Sequence, residues 1–268
     1  MKGNRLTLAP LCWLLGWMLL VDSFKISVIL TLPEENQVIP MSMAEDAVDD
    51  MYFMCNKTML ERIHETYFAK ENTETFAKVW KKAQGCAERK LKEKDKEDEA
   101  LTKRHMQAIC VYTTGYQKFH KTFNDAVQSS RSTSFPFHSL HYWLTSAIQI
   151  LGKNKKCHTT YRRTNAVLSG EVNQIVRFGF FASSSYDTTL TRFGTKTCFK
   201  ITTCSGAFLK HYSTVNKEEQ EVLIPPYEKF KITGKKKGVS EGLQKCEVVY
   251  ILESTGVQSN QNCKAAYS

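Results

Sequence analysis

Glu219 and Glu221 stand one residue apart, just before a short apolar run that Pro225-Pro226 halts. Two carboxylates at that spacing suit chemistry that generates a cation. One can stabilise positive charge developing on a sugar while its neighbour orients a nucleophile, the division of labour found when paired carboxyls serve sugar-bond cleavage. In extended backbone, residues two apart project to the same side, which would turn both acids toward one pocket. Glu-rich stretches also occur on solvated loops, so the pair needs companions elsewhere in the chain before it defines a site. Glu218, the acid just before the pair, reads as a bystander.

Other chemistries find no support. The chain contains no GxGxxG and no GxxxxGKS, so neither the dinucleotide-binding helix turn nor the P-loop is available to hold phosphates. GxSxG is missing too, and no Ser/His/Asp set assembles by spacing, which argues against an acyl-transfer nucleophile. No CxxC occurs, and Cys198 and Cys204 flank a β-prone stretch that leaves little room for a metal knuckle; no metal is expected.

The elements that must position the acids change character along the chain. Residues from about Met43 to Leu151 read as helices, with apolar stripes at Phe76, Val79 and Trp80, at Met106, Ile109, Cys110 and Tyr112, and at Leu140, Leu144, Ala147, Ile148 and Leu151. Ser134 or Ser139 can start the last of these helices. From Cys157 onward the pattern is one of short strands: His158 to Arg163, Ile175 to Ala182, Thr195 to Thr203, Glu221 to Ile224, Glu228 to Thr233 and Cys246 to Leu252. Helices followed by strands predict an α+β fold. Lys235-Lys236-Lys237, between Gly234 and Gly238, reads as a hairpin tip.

The N-terminal residues read as a secretory leader over about residues 1–25, with Lys2 and Arg5 in front of the apolar stretch Leu11 to Val21. Its removal takes Cys12 and leaves eight cysteines, an even number suited to disulfides in an oxidising compartment. Asn56-Lys57-Thr58 is a glycosylation sequon that agrees with this route. The tail at Asn262 to Ser268 lacks the apolar stretch of a glycolipid anchor, which predicts a soluble, secreted product with no membrane anchor. The net charge of +10 suggests nucleic acid only at first: its densest region, Lys81 to His105, interleaves acids with bases as solvated helix faces do. About 240 residues remain after the leader, enough for one well-buried domain.

Three blocks in the β half belong together: Tyr161-Arg162, Phe181-Ala182-Ser183-Ser184-Ser185 and Glu219-Gln220-Glu221. In that order they resemble the Arg, Ser-x-Ser, Glu-x-Glu signature of the arginine-specific mono-ADP-ribosyltransferases, the vertebrate ecto-enzymes. Ile39 to Cys55, Ser139 to Leu151, Val176 to Ser185 and Glu221 to Ile232 look like successive blocks of that family and span nearly the whole mature chain. The resemblance implies a helical N-terminal lobe (about residues 40–151) packed on a core of two small β-sheets (about 155–260), with NAD in the cleft between them. It implies a single catalytic domain over 26–268 and a monomer acting on NAD and on arginine-bearing protein acceptors.

Roles carry over residue by residue. Arg162 would bind the NAD pyrophosphate through its planar fork. Ser183 would help position the nicotinamide side and support Glu221. Glu221, as the essential residue, would bond the ribose 2′-hydroxyl and favour the oxocarbenium ion formed as nicotinamide leaves. Glu219, on a mobile loop, would hold the guanidinium of an incoming arginine. Tyr112 and Ser213 fall where the family also touches NAD. Cys157 with Cys204 and Cys55 with Cys263 match cysteine pairs of relatives, whereas Cys86, Cys110, Cys198 and Cys246 stay unassigned. Two positions depart from the family pattern: Arg163 replaces a common Gly, adding charge and bulk near the phosphate site, and Phe180 replaces a Gln expected near the NAD pocket. An NAD glycohydrolase, with water as acceptor, and a silent binding protein on the same fold are the alternative functions.

Overall fold

The computed structural model describes residues 37–129, 135–153, 156–215, 219–238 and 240–268. The residues read as a leader, Ser134 and Glu218 lie outside them. The architecture is α+β. Helix α1 (Asn56–Arg62) runs through a π-turn at Ile63–Tyr67 into α2 (Phe68–Glu71), followed by α3 (Glu74–Lys82), α4 (Gln84–Lys92), α5 (Lys103–Thr113), α6 (Phe119–Ser129) and α7 (His138–Gly152). The apolar stripes explain their assembly: Trp80 of α3 stacks on Trp143 of α7 with ring centroids 5.1 Å apart, and Phe76 stacks on Phe119 at 5.8 Å.

Helix α7 is central, and its start differs from the serine caps the sequence suggests. The carboxylate of Glu71 accepts the backbone N–H groups of His138 (2.7 Å) and Ser139 (2.9 Å), so a glutamate distant in sequence satisfies the orphan donors of the first turn. Ser139 is itself the second residue of the helix.

The β half begins with the short parallel pair β1 (Val38–Pro40) and β3 (Val167–Ser169). The larger sheet has the order β4-β9-β10-β6-β2-β5-β8-β7, built from β2 (His158–Thr164), β4 (Ile175–Arg177), β5 (Ala182–Ser185), β6 (Thr197–Thr203), β7 (Ala207–Phe208), β8 (Glu221–Ile224), β9 (Glu228–Lys237) and β10 (Val248–Val257). The path is continuous but pinched. β2 pairs with β6 through seven residues and with β5 only at Tyr161↔Ser185, so two smaller sheets meet at one rung.

Two strand expectations need correction. The single strand expected over Ile175 to Ala182 is two strands in different parts of the sheet. Gly179 breaks it with a φ of +67°, and a Cβ there would sit 2.3 Å from the Cβ of Ala44. Lys235-Lys236-Lys237 is ladder, not hairpin tip: the three pair with Tyr250, Val249 and Val248, and a register shift beside Gly234 accounts for the glycine. Their ammonium groups reach outward, as in the 3.1 Å pair of Lys235 with Glu171.

Core packing dictates which way the strands face. The four residues of β8 are all buried, because Leu223 packs in the cluster shared with the helices while Ile224 packs in the cluster between β-strands. A strand covered on both sides reads as an unbroken apolar run, which is the Val222-Leu223-Ile224 of the sequence. Glu221 lies two residues before Leu223 and shares its face, the one turned to the helical lobe.

Among the described residues there are four disulfides: Cys55–Cys263, Cys86–Cys110, Cys157–Cys204 and Cys198–Cys246. Asn56 is exposed, and its Oδ1 accepts the Tyr142 hydroxyl at 2.7 Å, leaving its Nδ2 out of that bond.

Buried ionisable groups set the pH response. His141 is fully buried; its Nδ1 accepts the Tyr52 hydroxyl (2.7 Å), its Nε2–H donates to the Val48 carbonyl (2.9 Å), and burial pushes its pKa down to about 3. Burial likewise takes His105 to about 4. Burial acts oppositely on carboxyls, raising Asp50 to about 6 and Glu71 to about 7. The carboxyls hold protons in the folded state that the unfolded chain releases, so their contribution is lost as pH climbs through about 6 to 7. The histidines stay neutral in the folded state while the unfolded chain protonates, so theirs is lost as pH falls below about 6.5. The two trends oppose one another near pH 5 to 6. Below about pH 4 Asp50 and Glu71 are protonated in both states, so their opposing trend ends while that of His141 continues. Urea unfolding should therefore show similar stability at about pH 5 and 6 and a marked loss at about pH 3.5; stability that increases at the lowest pH would contradict this assignment.

Candidate active site

Where β2 and β5 part company, a cleft of about 440 Å3 opens against α5, within the size range of ligand sites. Tyr112, Arg162, Ser183, Glu219 and Glu221 all line it. Arg162 follows the single shared rung directly. Its Nη1 donates to the Ser183 carbonyl at 2.6 Å, so the guanidinium bridges the two sheets where backbone pairing stops. A second cavity of about 400 Å3 adjoins the first and shares Arg162, His120 and Asn124 with it, placing the guanidinium between two spaces.

Glu221 is buried at the head of β8. Its Oε1 accepts the Ser183 hydroxyl at 2.7 Å and its Oε2 the Ser213 hydroxyl at 2.8 Å. Burial raises its pKa, the two serine bonds oppose that shift, and the nearby charge of Glu219 adds to it. Register explains the contact: Ser183 pairs with Leu223 and Ser185 with Glu221, so Ser183 is the diagonal same-face neighbour of Glu221.

Glu219 reaches the same cleft by a different route from the extended backbone the spacing suggests. Gln220 adopts a φ of +42°, a turn rather than a strand, and only Glu221 belongs to β8. The turn is anchored: the Ser185 hydroxyl donates to the Glu219 carbonyl, and Tyr186 N–H donates to the Gln220 carbonyl at 3.4 Å. Glu219 Oε1 accepts Arg192 Nη2 at 2.5 Å.

Three further residues singled out in the sequence stand around the cleft in distinct settings. Ser213 lines a smaller cavity of about 290 Å3 that shares Glu221 with the cleft, and its hydroxyl donates to the Glu221 carboxylate. Arg163 borders the cleft but its charge is committed elsewhere. On the opposite face of β2 from Arg162, its guanidinium donates to the Thr188 carbonyl (2.6 Å), the Gln244 carbonyl (3.0 Å) and Cys246 Sγ (3.0 Å). Phe180 lines the adjoining cavity, and its ring centroid is 5.5 Å from the Arg162 guanidinium carbon, substituting a π-face for an amide.

Asn124 was missed by sequence reasoning. Its Nδ2 donates to the Tyr112 hydroxyl and to the Phe181 carbonyl, both at 3.0 Å, and its Oδ1 accepts Phe181 N–H at 3.2 Å. Tyr112 also donates to the Phe181 carbonyl at 2.5 Å, and burial pushes its pKa up to about 12. This knot joins α5 and α6 to the start of β5. A lone Asn on a helix carries no sequence signal for such a role. The acidic triplet Asp95, Glu97 and Asp98 converges, but on the Lys210 ammonium, which lies 2.8 Å from Asp95 and 2.6 Å from Asp98.

The sequence matches the family model described as NAD:arginine ADP-ribosyltransferase over residues 41–247, most of the chain. The chain belongs to that family. Among relatives of this ADP-ribosyltransferase, ecto-ADP-ribosyltransferase 4 of Mus musculus is 33% identical over 242 residues, covering 84% of this chain and 76% of the relative. The erythroblast NAD(P)(+)--arginine ADP-ribosyltransferase of Gallus gallus is 31% identical over 240 residues, with 84% and 76% covered. The crystal structure of a mutant of the eukaryotic mono-ADP-ribosyltransferase ART2.2 in complex with NADH superposes with a TM-score of 0.71 at 27% identity, covering 86% of this chain and 100% of that one.

Proposed function

We propose that this family member transfers ADP-ribose from NAD to arginine side chains of proteins, with release of nicotinamide. The observation that carries the reading is Glu221, buried and held between two serine hydroxyls on the wall of a cleft that also presents Arg162 and Glu219. The residues suit a dinucleotide. Arg162 stands between two adjoining spaces, where a bidentate cation would take the pyrophosphate and leave one nucleoside half on each side. NAD supplies the activated glycosidic bond.

The chain's own groups do the rest. Glu221 faces the ribose and stabilises positive charge developing as nicotinamide departs; Ser183 and Ser213 keep its two oxygens oriented. Glu219 lines the same space and holds the acceptor guanidinium, aligning its nitrogen with the anomeric carbon. Tyr112, locked by Asn124, forms part of the wall on the helical side. The four disulfides support an extracellular, secreted site of action, and no helix among the described residues is long and apolar enough to cross a membrane. Residues 26–268 are proposed to act as one catalytic domain and as a monomer.

NAD hydrolysis is the second reading, favoured by the arginine already seated on Glu219. Incubation with NAD and agmatine separates the two. The expected product is ADP-ribosylagmatine, resolved from ADP-ribose by chromatography; free ADP-ribose dominating at saturating agmatine would overturn the transferase reading.

A further inference from the structure

The carboxylate proposed to select arginine acceptors carries an arginine of the chain itself. Arg192 Nη2 lies 2.5 Å from Glu219 Oε1, at the mouth of the cleft, and its guanidinium carbon lies 4.8 Å from the centroid of the Phe193 ring, which lines that mouth. The pair is partly open to water: the Arg192 side chain is 55% exposed and that of Glu219 is 19% exposed. An incoming guanidinium would reach Glu219 from the side that Arg192 now covers.

The backbone beneath Arg192 is fixed in place. The turn Thr191–Phe193 follows buried Leu190 and ends at Gly194, whose φ is +134°. A Cβ at Gly194 would lie 2.3 Å from the Thr164 carbonyl carbon and 2.5 Å from the Asn165 nitrogen, so the turn is pressed onto the end of β2. Glu219 is anchored from the other side by the Ser185 hydroxyl. Two fixed backbones thus bring a long flexible cation to a carboxylate at high effective concentration, while the exposed side chain can swing away without disturbing either turn.

We infer that Arg192 is a tethered competitor for the acceptor site, which every acceptor arginine must displace from Glu219. This rests on the acceptor role given to Glu219 above. The competition weakens every acceptor by the same factor, so at a given concentration an isolated guanidinium loses most of its occupancy while an arginine whose surrounding peptide makes further contacts still fills the site. The apparent acceptor affinity is the intrinsic one reduced by the fraction of molecules with Glu219 uncovered. An exposed ion pair favours its closed form by a factor of at most about five, so removing Arg192 should improve apparent acceptor binding by about twofold to sixfold.

The test is steady-state kinetics of Arg192→Gln with NAD and agmatine, alongside Arg192→Lys and wild type. The expected result is a KM for agmatine lowered about twofold to sixfold in Arg192→Gln and less in Arg192→Lys. The kcat, the KM for NAD and the rate of NAD hydrolysis without acceptor should stay unchanged. An unchanged or raised KM for agmatine, in an enzyme whose wild type makes ADP-ribosylagmatine, sinks this inference alone. A raised KM for NAD would assign Arg192 to the dinucleotide instead and also overturn it. Mass spectrometry that finds ADP-ribose on Arg192 would make it an acceptor rather than a competitor, which is equally fatal to the inference. If wild type yields only free ADP-ribose, the acceptor reading of Glu219 fails and this inference falls with it.

Discussion

Glu221→Gln is expected to reduce nicotinamide release by about a thousandfold or more, with the fold intact, because it removes the buried charge that opposes the cation developing on the ribose. The substitution is nearly isosteric and retains an oxygen able to accept one of the two serine hydroxyls. A circular-dichroism melting curve close to that of wild type would separate lost chemistry from lost structure. Residual turnover above about a tenth of wild type would mean that Glu221 is not the stabilising group. The raised pKa of Glu221 also fixes the sense of the pH profile: activity should rise with pH through a value above the ordinary range for glutamate, because only the ionised carboxylate opposes the cation.

The largest effect on stability is expected at a pair far from the cleft. Arg177 and Asp49 form a 2.5 Å ion pair with both side chains wholly buried. Arg177 also donates to the carbonyls of Met43 (2.6 Å), Ala44 (3.1 Å) and Gln258 (2.7 Å), while Asp49 accepts the N–H groups of Asn260 and Gln261, each at 2.9 Å. One bonded pair therefore clasps β4, the segment ahead of the helical lobe and the segment after β10. Asp49→Asn leaves the guanidinium buried without a counter-charge and should cost about 3 to 5 kcal/mol in urea unfolding. The double variant Asp49→Leu/Arg177→Met removes both charges and their desolvation penalty, but it leaves the carbonyls of Met43, Ala44 and Gln258 and the N–H groups of Asn260 and Gln261 without these partners, so it should remain destabilised. A loss below about 1 kcal/mol in the single variant would show that water reaches the pair.

Legibility of the molecule from sequence follows from what each signal encodes. The helical stripes and the β8 run were legible because burial of one or both faces writes a period into the apolar residues, and the order of helices before strands carried the α+β class. The split of Ile175 to Ala182 was not, because composition there is β-prone throughout and only a contact with Ala44 requires the left-handed turn at Gly179. At the site, the acids and Arg162 were legible as blocks, but the reason for their convergence was partly wrong: Gln220 turns where an extended pair was expected. The bond of Ser213 to Glu221 was not legible either, since the order of residues does not say on which side of a carboxylate a hydroxyl will stand. Glu71, Asn124 and Arg192 gave no signal at all, because each acts on a partner brought close only by the fold.

The Cys55–Cys263 bond encloses a separation of 208 residues, containing both the cleft and nearly every element that builds it. Covalently, that stretch is a ring. A protease that severs one exposed peptide link inside it opens the ring without parting the fragments, and the remaining bonds still hold the two pieces in register. Outside the cell, where digestion is common and reductant scarce, a clipped molecule of this kind stays assembled around its cleft.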